Sequence, residues 1–282
     1  MIGTATTATP EHGISAPYTH YADVYDRLNQ SAFSERISRA VLTWLGKRGH
    51  SPGRVLDLAC GTGAAARLYA DHGCEVIGLD QSMRMLAIAR EHDRVNPTVQ
   101  FLEGDLRDLS ARQFDTAFNL VSCYFDSISY LLEDEELEAC FRAVRALTAL
   151  EGYFVFDVPT QRGFSELWDN AIHVAVDDPD FFGLYQSSYD PTTRLSPLRL
   201  TFFQRDSDPI GPGWRRFDEC HIQRAYSLSE LKSALDGAGF EITQCFDVRD
   251  NGATLLPGGD EHARRVALLA RPVLSPISGA RD

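Results

Sequence analysis

Val55-Leu56-Asp57-Leu58-Ala59-Cys60-Gly61-Thr62-Gly63 reads as a buried apolar strand that runs into a tight Gly-x-Gly turn and opens a helix. Glycines at both ends of such a turn admit backbone conformations closed to other residues and let a ligand approach the main chain. Seventeen residues after Gly63, a second apolar strand, Val76-Ile77-Gly78-Leu79, ends in Asp80. A carboxylate at the tip of the second strand is placed to accept both hydroxyls of a ribose. A third strand, Val99-Gln100-Phe101-Leu102-Glu103, runs into Gly104-Asp105-Leu106.

Outward from these motifs, apolar runs and helical periodicities alternate: strand 54–60, helix 63–72, strand 75–80, helix 82–92, strands 99–104 and 115–122, helix 133–147 and strand 152–158. Such alternation predicts a parallel sheet with crossover helices. Ligands in these sheets bind beyond the carboxyl ends of the strands, where Gly61, Asp80, Asp105 and Ser122 all fall. Before the sheet, 18–49 reads as two helical segments. Ser31 or Ser34 is the expected cap of the second, in which Phe33, Ile37, Ala40, Val41, Trp44 and Leu45 recur at helical spacing. From about 160 to 226 the pattern changes. Stretches 184–189, 198–205 and 215–226 have strand character, with turn signals at Asp190-Pro191, Asp208-Pro209 and Gly211-Pro212-Gly213. Helix 228–238, closed by Gly237 or Gly239, and strands 240–248 and 264–271 then complete the sheet.

The motifs resemble the nucleoside-binding half of class I S-adenosylmethionine-dependent methyltransferases, over roughly residues 18–160 and 227–272. That resemblance implies a Rossmann-like α/β fold with a mostly parallel seven-stranded sheet, here carrying an antiparallel β insert. The expected organisation is a disordered tail over 1–17, a helical lid over 18–50, a cofactor-binding core over 51–159, a substrate-covering insert over 160–226, completion of the core sheet over 227–273, and a tail over 274–282. The resemblance implies S-adenosylmethionine as cofactor, held by Asp57, Ala59, Gly61, Gly63, Asp80, Gln81, Asp105, Leu106 and Ser122. In the family, the in-strand acid orients the glycine loop and the methionine amino group, and a carboxylate at the place of Asp105 accepts from the adenine amino group. A dinucleotide-binding dehydrogenase is the alternative for the same residues. It calls for Gly-x-Gly-x-x-Gly, a fingerprint that often tolerates the alanine at position 66, but it has no habit of an aspartate within the strand.

Length and charge narrow the partners. A chain of 282 residues, 44% hydrophobic, can bury a large core. No apolar run approaches the ~20 residues of a membrane span, and 1–17 has neither the basic start nor the apolar centre of a signal peptide. A net charge of −13, from 27 basic and 40 acidic residues, disfavours nucleic acid and favours a small-molecule substrate. The six cysteines form no Cys-x-x-Cys pair, so reduced core thiols of a cytoplasmic protein are expected. Cys60 and Cys123 lie near the presumed site and read as packing residues before nucleophiles. No His, Asp and Glu cluster has metal-ligand spacing. A homodimer is left open.

Methyl transfer to nitrogen or oxygen needs positioning, exclusion of water and at most one base. Tyr18-Thr19-His20-Tyr21-Ala22-Asp23-Val24-Tyr25-Asp26 resembles the Tyr-Asp lid of amino-sugar N-methyltransferases, with Tyr25 at the place of the family's tyrosine; plain packing of Tyr21 and Tyr25 onto the domain is the alternative. Ser122-Cys123-Tyr124-Phe125-Asp126-Ser127-Ile128-Ser129-Tyr130-Leu131 resembles the same subfamily's pocket loop and lacks Asn-Pro-Pro-Tyr, which points to an amine, a hydroxyl or a carboxylate acceptor. Asp126 is a candidate for binding a substrate amine, or else a helix cap. Asp157, ending the fifth strand, faces the pocket mouth or ties down the following loop. Alternation puts Glu219, His221 and Gln223 on one strand face, which makes His221 the candidate general base if that face covers the site, and part of a solvent-facing stripe if it does not. For the methionine carboxylate the candidates are Arg36 and Arg39. A cofactor-binding enzyme of non-methylating chemistry and a non-catalytic binding protein are the remaining alternatives.

Overall fold

The computed structural model describes residues 14–94, 97–110, 112, 114–205 and 213–273. Most of the two expected tails (1–13 and 274–282) and the turn signals at Asp208-Pro209 and Gly211-Pro212 lie outside them. A two-residue strand β1 (Ile14–Ser15), a short helix α1 (Tyr21–Tyr25) and helix α2 (Ser31–Gly46) come first. Strands β2 (Arg54–Leu58), β3 (Glu75–Asp80), β4 (Val99–Glu103), β5 (Phe118–Cys123) and β6 (Thr148–Pro159) then alternate with helices α3 (Ala64–Asp71), α4 (Met83–His92) and α5 (Asp134–Leu147). There follow α6 (Gln161–Leu167), the insert strands β7 (Ala171–Asp178), β8 (Phe181–Ser187), β9 (Leu195–Arg205) and β10 (Trp214–Arg224), and finally α7 (Leu228–Ala238), β11 (Phe240–Arg249), β12 (Thr254–Pro257) and β13 (Arg265–Pro272).

The main sheet has the order β12-β11-β13-β6-β5-β2-β3-β4. Its β6-β5-β2-β3-β4 part is parallel, and β13 and β11 join antiparallel. The order reverses between β2 and β5, which opens the crevice where ligands of such sheets bind. Val55, Leu56 and Leu58 of β2 are fully buried, because helices cover both faces. Eight strands stand where seven are expected. The additional β12 is four residues long and hangs on the edge of β11, too short to signal itself in sequence. Helix α7 carries a reciprocal Ser227–Glu230 capping box and ends at Gly239 with φ of 86°, while α2 starts at Ser31 behind Gln30 with no side-chain cap. Neither Ser31 nor Ser34 serves as the expected cap.

The insert is antiparallel from β7 to β10, and β1 adds to it in parallel, with Ile14 opposite Asp218 and Ser15 opposite Glu219. Ile14 and Ser15, expected in a tail, are therefore a sheet edge. β7 escapes sequence reading because it is itself an edge strand: Ile172 and Val174 stay 64% and 59% exposed, so burial imprints no alternation. Tyr21, Ala22, Val24 and Tyr25 of α1 pack with Met85 of α4 and with Phe181, Leu200 and Phe202 of the insert. Thus α1 lies between the parallel core and the insert, across the carboxyl end of the sheet.

Candidate active site

At the tip of β2 the chain turns through Ala59, Gly61 and Gly63, all in the left-handed region with φ of 51°, 54° and 80°. Gly63 is required twice over, since a Cβ there would stand 2.8 Å from the Phe101 ring. A Cβ on Gly61 would meet nothing within 4 Å, because that side of the turn opens into the cavity. Asp80 holds the turn from the neighbouring strand. Its Oδ2 accepts from the Gly61 amide at 2.8 Å and its Oδ1 from the Ser82 amide at 2.8 Å, leaving further lone pairs on both oxygens. Burial raises its carboxyl above the ordinary value, and those two amides pull it back in part.

Asp57 is 2% exposed, and its Oδ1 accepts from the Ser122 hydroxyl at 2.7 Å, directly across the β2–β5 register. Its Oδ2 is buried without a hydrogen bond of ordinary geometry, although the Ala66 amide is near enough to favour the charge. Burial pushes the Asp57 carboxyl up to about 7, against the pull of Ser122 and with the repulsion of Asp80. An orphaned carboxylate oxygen beneath a glycine turn is a site for a cationic or N–H donor group.

The cavity over this turn is lined by Ala59, Gly61, Asp80, Gln81, Asp105 and Leu106 on the sheet side, and by Tyr18, Tyr25, Tyr124, Phe125 and Tyr130 on the other. Of the residues expected from sequence, Tyr25 lines the wall, and its hydroxyl makes no hydrogen bond within the described residues. Gly63, Asp57 and Ser122 stand behind the wall, the last two as one hydrogen-bonded pair. Arg36 and Arg39 do not reach the cavity: Arg36 donates to the Asn251 carbonyl and Arg39 pairs with Glu35 on the outer face of α2. Arg107, unmarked in sequence, lines the cavity beside Asp105, whose carboxylate it and its own amide engage.

Asp126 is turned away from the cavity. It pairs with Arg265 at 2.8 Å and accepts from the Gln223 amide group, and it makes no side-chain cap to the short turn Ser127–Tyr130 that follows. Arg265 also pairs with Asp157, which accepts from the Phe125 amide at 2.7 Å. Phe125 and Asp126 both hold positive φ, 58° and 54°, so this ion cluster clamps a strained lip of the cavity. Asp157 thus ties down the loop after β5, not the loop that follows its own strand as expected, because its carboxylate points across the sheet to the Phe125 amide. Burial raises its carboxyl to about 6, with Arg265 opposing.

The polar face of β10 is buried. Glu219 is 0% exposed and His221 1%, so a solvent-facing stripe is excluded. His221 is one shell behind the wall: its Nδ1 lies 2.7 Å from the Tyr130 hydroxyl and its Nε2 3.3 Å from Glu219 Oε2. Glu219 in turn accepts from the backbone amides of Tyr18, His20 and Tyr21, which anchors the start of α1. Sequence alternation placed Glu219 and His221 on one face but carried no sign of this anchoring, which joins residues some 200 apart. Cys60 and Cys123 are buried and their thiols pushed well up by that burial, the state of packing residues.

A family described as a methyltransferase domain matches residues 55–152. YqeM of Bacillus subtilis (strain 168), named among the methyltransferases, is 30% identical over 226 residues, covering 80% of this chain and 87% of the relative. The chain is a class I S-adenosylmethionine-dependent methyltransferase. The methyltransferase is also similar to the dTDP-3-amino-3,6-dideoxy-alpha-D-glucopyranose N,N-dimethyltransferase of Streptomyces fradiae, at 35% identity over 159 residues, 56% of this chain and 59% of the relative. In fold it matches the crystal structure of an S-adenosylmethionine-dependent methyltransferase from Clostridium acetobutylicum ATCC 824, with a TM-score of 0.76, 23% identity, and coverage of 91% of this chain and 99% of that one. The methyltransferase uses S-adenosylmethionine, and its residues fit that cofactor: Asp57 offers an unpaired carboxylate oxygen to an ammonium, Asp80 spare lone pairs to a diol, and the open side of Gly61 room for close approach. No helix among the described residues is long and apolar enough to cross a membrane.

Proposed function

We propose that this methyltransferase modifies an amine nitrogen of a small metabolite of the amino-sugar class. The observation that carries this is the cavity wall opposite the cofactor motifs, built from Tyr18, Tyr25, Tyr124, Phe125 and Tyr130. Methylation leaves a cationic nitrogen before proton loss, and aromatic faces with phenolic oxygens suit that charge better than they suit a neutral ether product. The amino-sugar dimethyltransferase similar to this chain supports the same acceptor class.

When bound, S-adenosylmethionine supplies an electrophilic methyl group on a sulfonium. Asp80 and Gln81 hold the ribose, Asp105 and Leu106 the adenine, and Asp57, fixed by Ser122, the amino end. The turn through Ala59, Gly61 and Gly63 brings the main chain up to the ligand. Tyr25, on a helix anchored at its start by Glu219, closes the wall and excludes water. Asp126 acts at one remove, through the lip it clamps with Arg265.

Labelled S-adenosylmethionine incubated with dTDP-3-amino-3,6-dideoxyglucose, its 3-hydroxyl analogue and a carboxylate metabolite should transfer label to the amine. Label on the hydroxyl or carboxylate alone would overturn the amine assignment. Asp80→Ala should weaken cofactor binding by about 1–3 kcal/mol, the range for leaving hydrogen-bonding partners unpaired; calorimetry showing wild-type affinity would remove Asp80 from the ribose.

A further inference from the structure

The carboxylate of Glu219 can only accept, so His221 must present Nε2–H to it, and the neutral ring then has Nδ1 as its acceptor. The Tyr130 hydroxyl, 2.7 Å away, therefore donates to Nδ1. With its proton so committed, Tyr130 accepts from the Tyr18 hydroxyl at 3.1 Å. The chain has one direction, and it ends on the Tyr18 oxygen with lone pairs free at the cavity wall. The same Glu219 carboxylate accepts from the Tyr18 amide and holds that residue at φ of 60°, while the Tyr18 ring stands edge-on to His221 at 4.9 Å. One buried carboxylate thus sets both the tautomer at one end and the backbone at the other.

We propose that Glu219, His221, Tyr130 and Tyr18 form a proton relay that drains the methylated nitrogen into His221. The proposal rests on the amine assignment above. As the nitrogen lone pair forms the new bond to carbon, the carbon–sulfur bond breaks and its electron pair goes to sulfur. The cationic nitrogen passes its proton to the Tyr18 oxygen, Tyr18 passes its own to Tyr130, and Tyr130 passes its own to His221 Nδ1. The product leaves neutral, and the imidazolium sits beside Glu219 until solvent takes the proton after product release. Tyr18 takes the proton from the acceptor; Tyr130, further along the same wall, and His221 behind it act through Tyr18. The titratable groups facing the ring are Glu219 on its own strand, Tyr130 on the short turn, Tyr18 on the N-terminal segment and Tyr21 on α1, with Asp126 and Asp80 acting on Tyr18. Burial and this company raise both the Tyr18 and the Tyr130 phenols, so neither ionises in its own right and each can only pass a proton through.

Two measurements decide it. Long-range nitrogen–proton NMR on the full chain should show His221 as the Nε2–H tautomer with Nδ1 unprotonated; an Nδ1–H tautomer reverses the chain and overturns the relay. The second is His221→Asn, whose amide oxygen can still accept from Tyr130 but takes up no proton. It should keep cofactor affinity and the KM for the amine within about twofold and lower kcat toward the amine about 100-fold. Tyr130→Phe should match it in kcat. Wild-type kcat in both variants, or a loss confined to KM, would overturn the relay. Transfer by the wild type to no amine would overturn the amine assignment instead, while the tautomer still decides whether the chain is built as described.

Discussion

Arg265→Met should destabilise the protein by about 3–5 kcal/mol at pH 8, the range for breaking a buried ion pair by removing one partner. Arg265 stands between Asp126 and Asp157, with side chains 17%, 15% and 0% exposed, and stacks over the Phe33 and Phe125 rings at 4.8 and 5.6 Å. Methionine replaces much of the stacking surface but none of the charge, which leaves two carboxylates facing each other out of water. They respond by taking up a proton. Asp157 is already raised to about 6 with the guanidinium present, and without it the carboxyl rises further. A folded-state value above the ordinary one means a penalty that is absent at low pH and grows as pH rises through the shifted range. The loss should therefore be smaller at pH 5 than at pH 8. Urea unfolding at both values checks this, and a loss under about 1 kcal/mol at each would show that the cluster contributes nothing net. Because the same cluster holds Phe125 and Asp126 at positive φ beside Tyr130, the variant should also lose turnover.

Asp57 carries the second large effect. Its folded carboxyl stands at about 7 against an ordinary 3.8, so ionising it penalises the folded, cofactor-free protein. The penalty is absent below about pH 4, builds as pH rises toward 7 and stands in full above that, on the order of 4 kcal/mol for about three pH units. Asp57→Asn should accordingly stabilise the cofactor-free protein above pH 7 while weakening cofactor binding. An ammonium placed on the unpaired Oδ2 reverses the balance and holds the carboxylate ionised. Wild-type affinity should then climb as pH rises to about 7 and level off, with a proton released on binding near pH 6. Calorimetry in two buffers of different ionisation enthalpy measures that proton. Its absence, together with an unchanged pH dependence in Asp57→Asn, would take Asp57 away from the cofactor.

The parallel core was legible because its signals are local. A strand buried on both faces is a continuous apolar run, a turn that needs left-handed φ asks for glycine, and an acid at a strand tip stands at a countable distance from that turn. Asp57, Gly61, Gly63, Asp80 and Asp105 are all found by such short-range arithmetic, and the match to a methyltransferase domain over 55–152 covers that same stretch. The insert was legible only in part. β8, β9 and β10 keep enough apolar residues to show, whereas β7 is too exposed; in the main sheet, β12 is too short.

By itself, then, the sequence determined the Rossmann-like class, the cofactor and the acids that frame the glycine turn. Only the tertiary structure decided which polar residues meet. Asp126 and His221 carry the right chemistry in sequence, yet one is spent on Arg265 and the other sits behind Tyr130. Glu219 gathers the amides of Tyr18, His20 and Tyr21 across about 200 residues and so fixes the N-terminal segment as a cavity wall. The reason is physical: periodicity and turn chemistry act between neighbours in the chain. The direction of a hydrogen bond between distant side chains depends on packing, which no local pattern records.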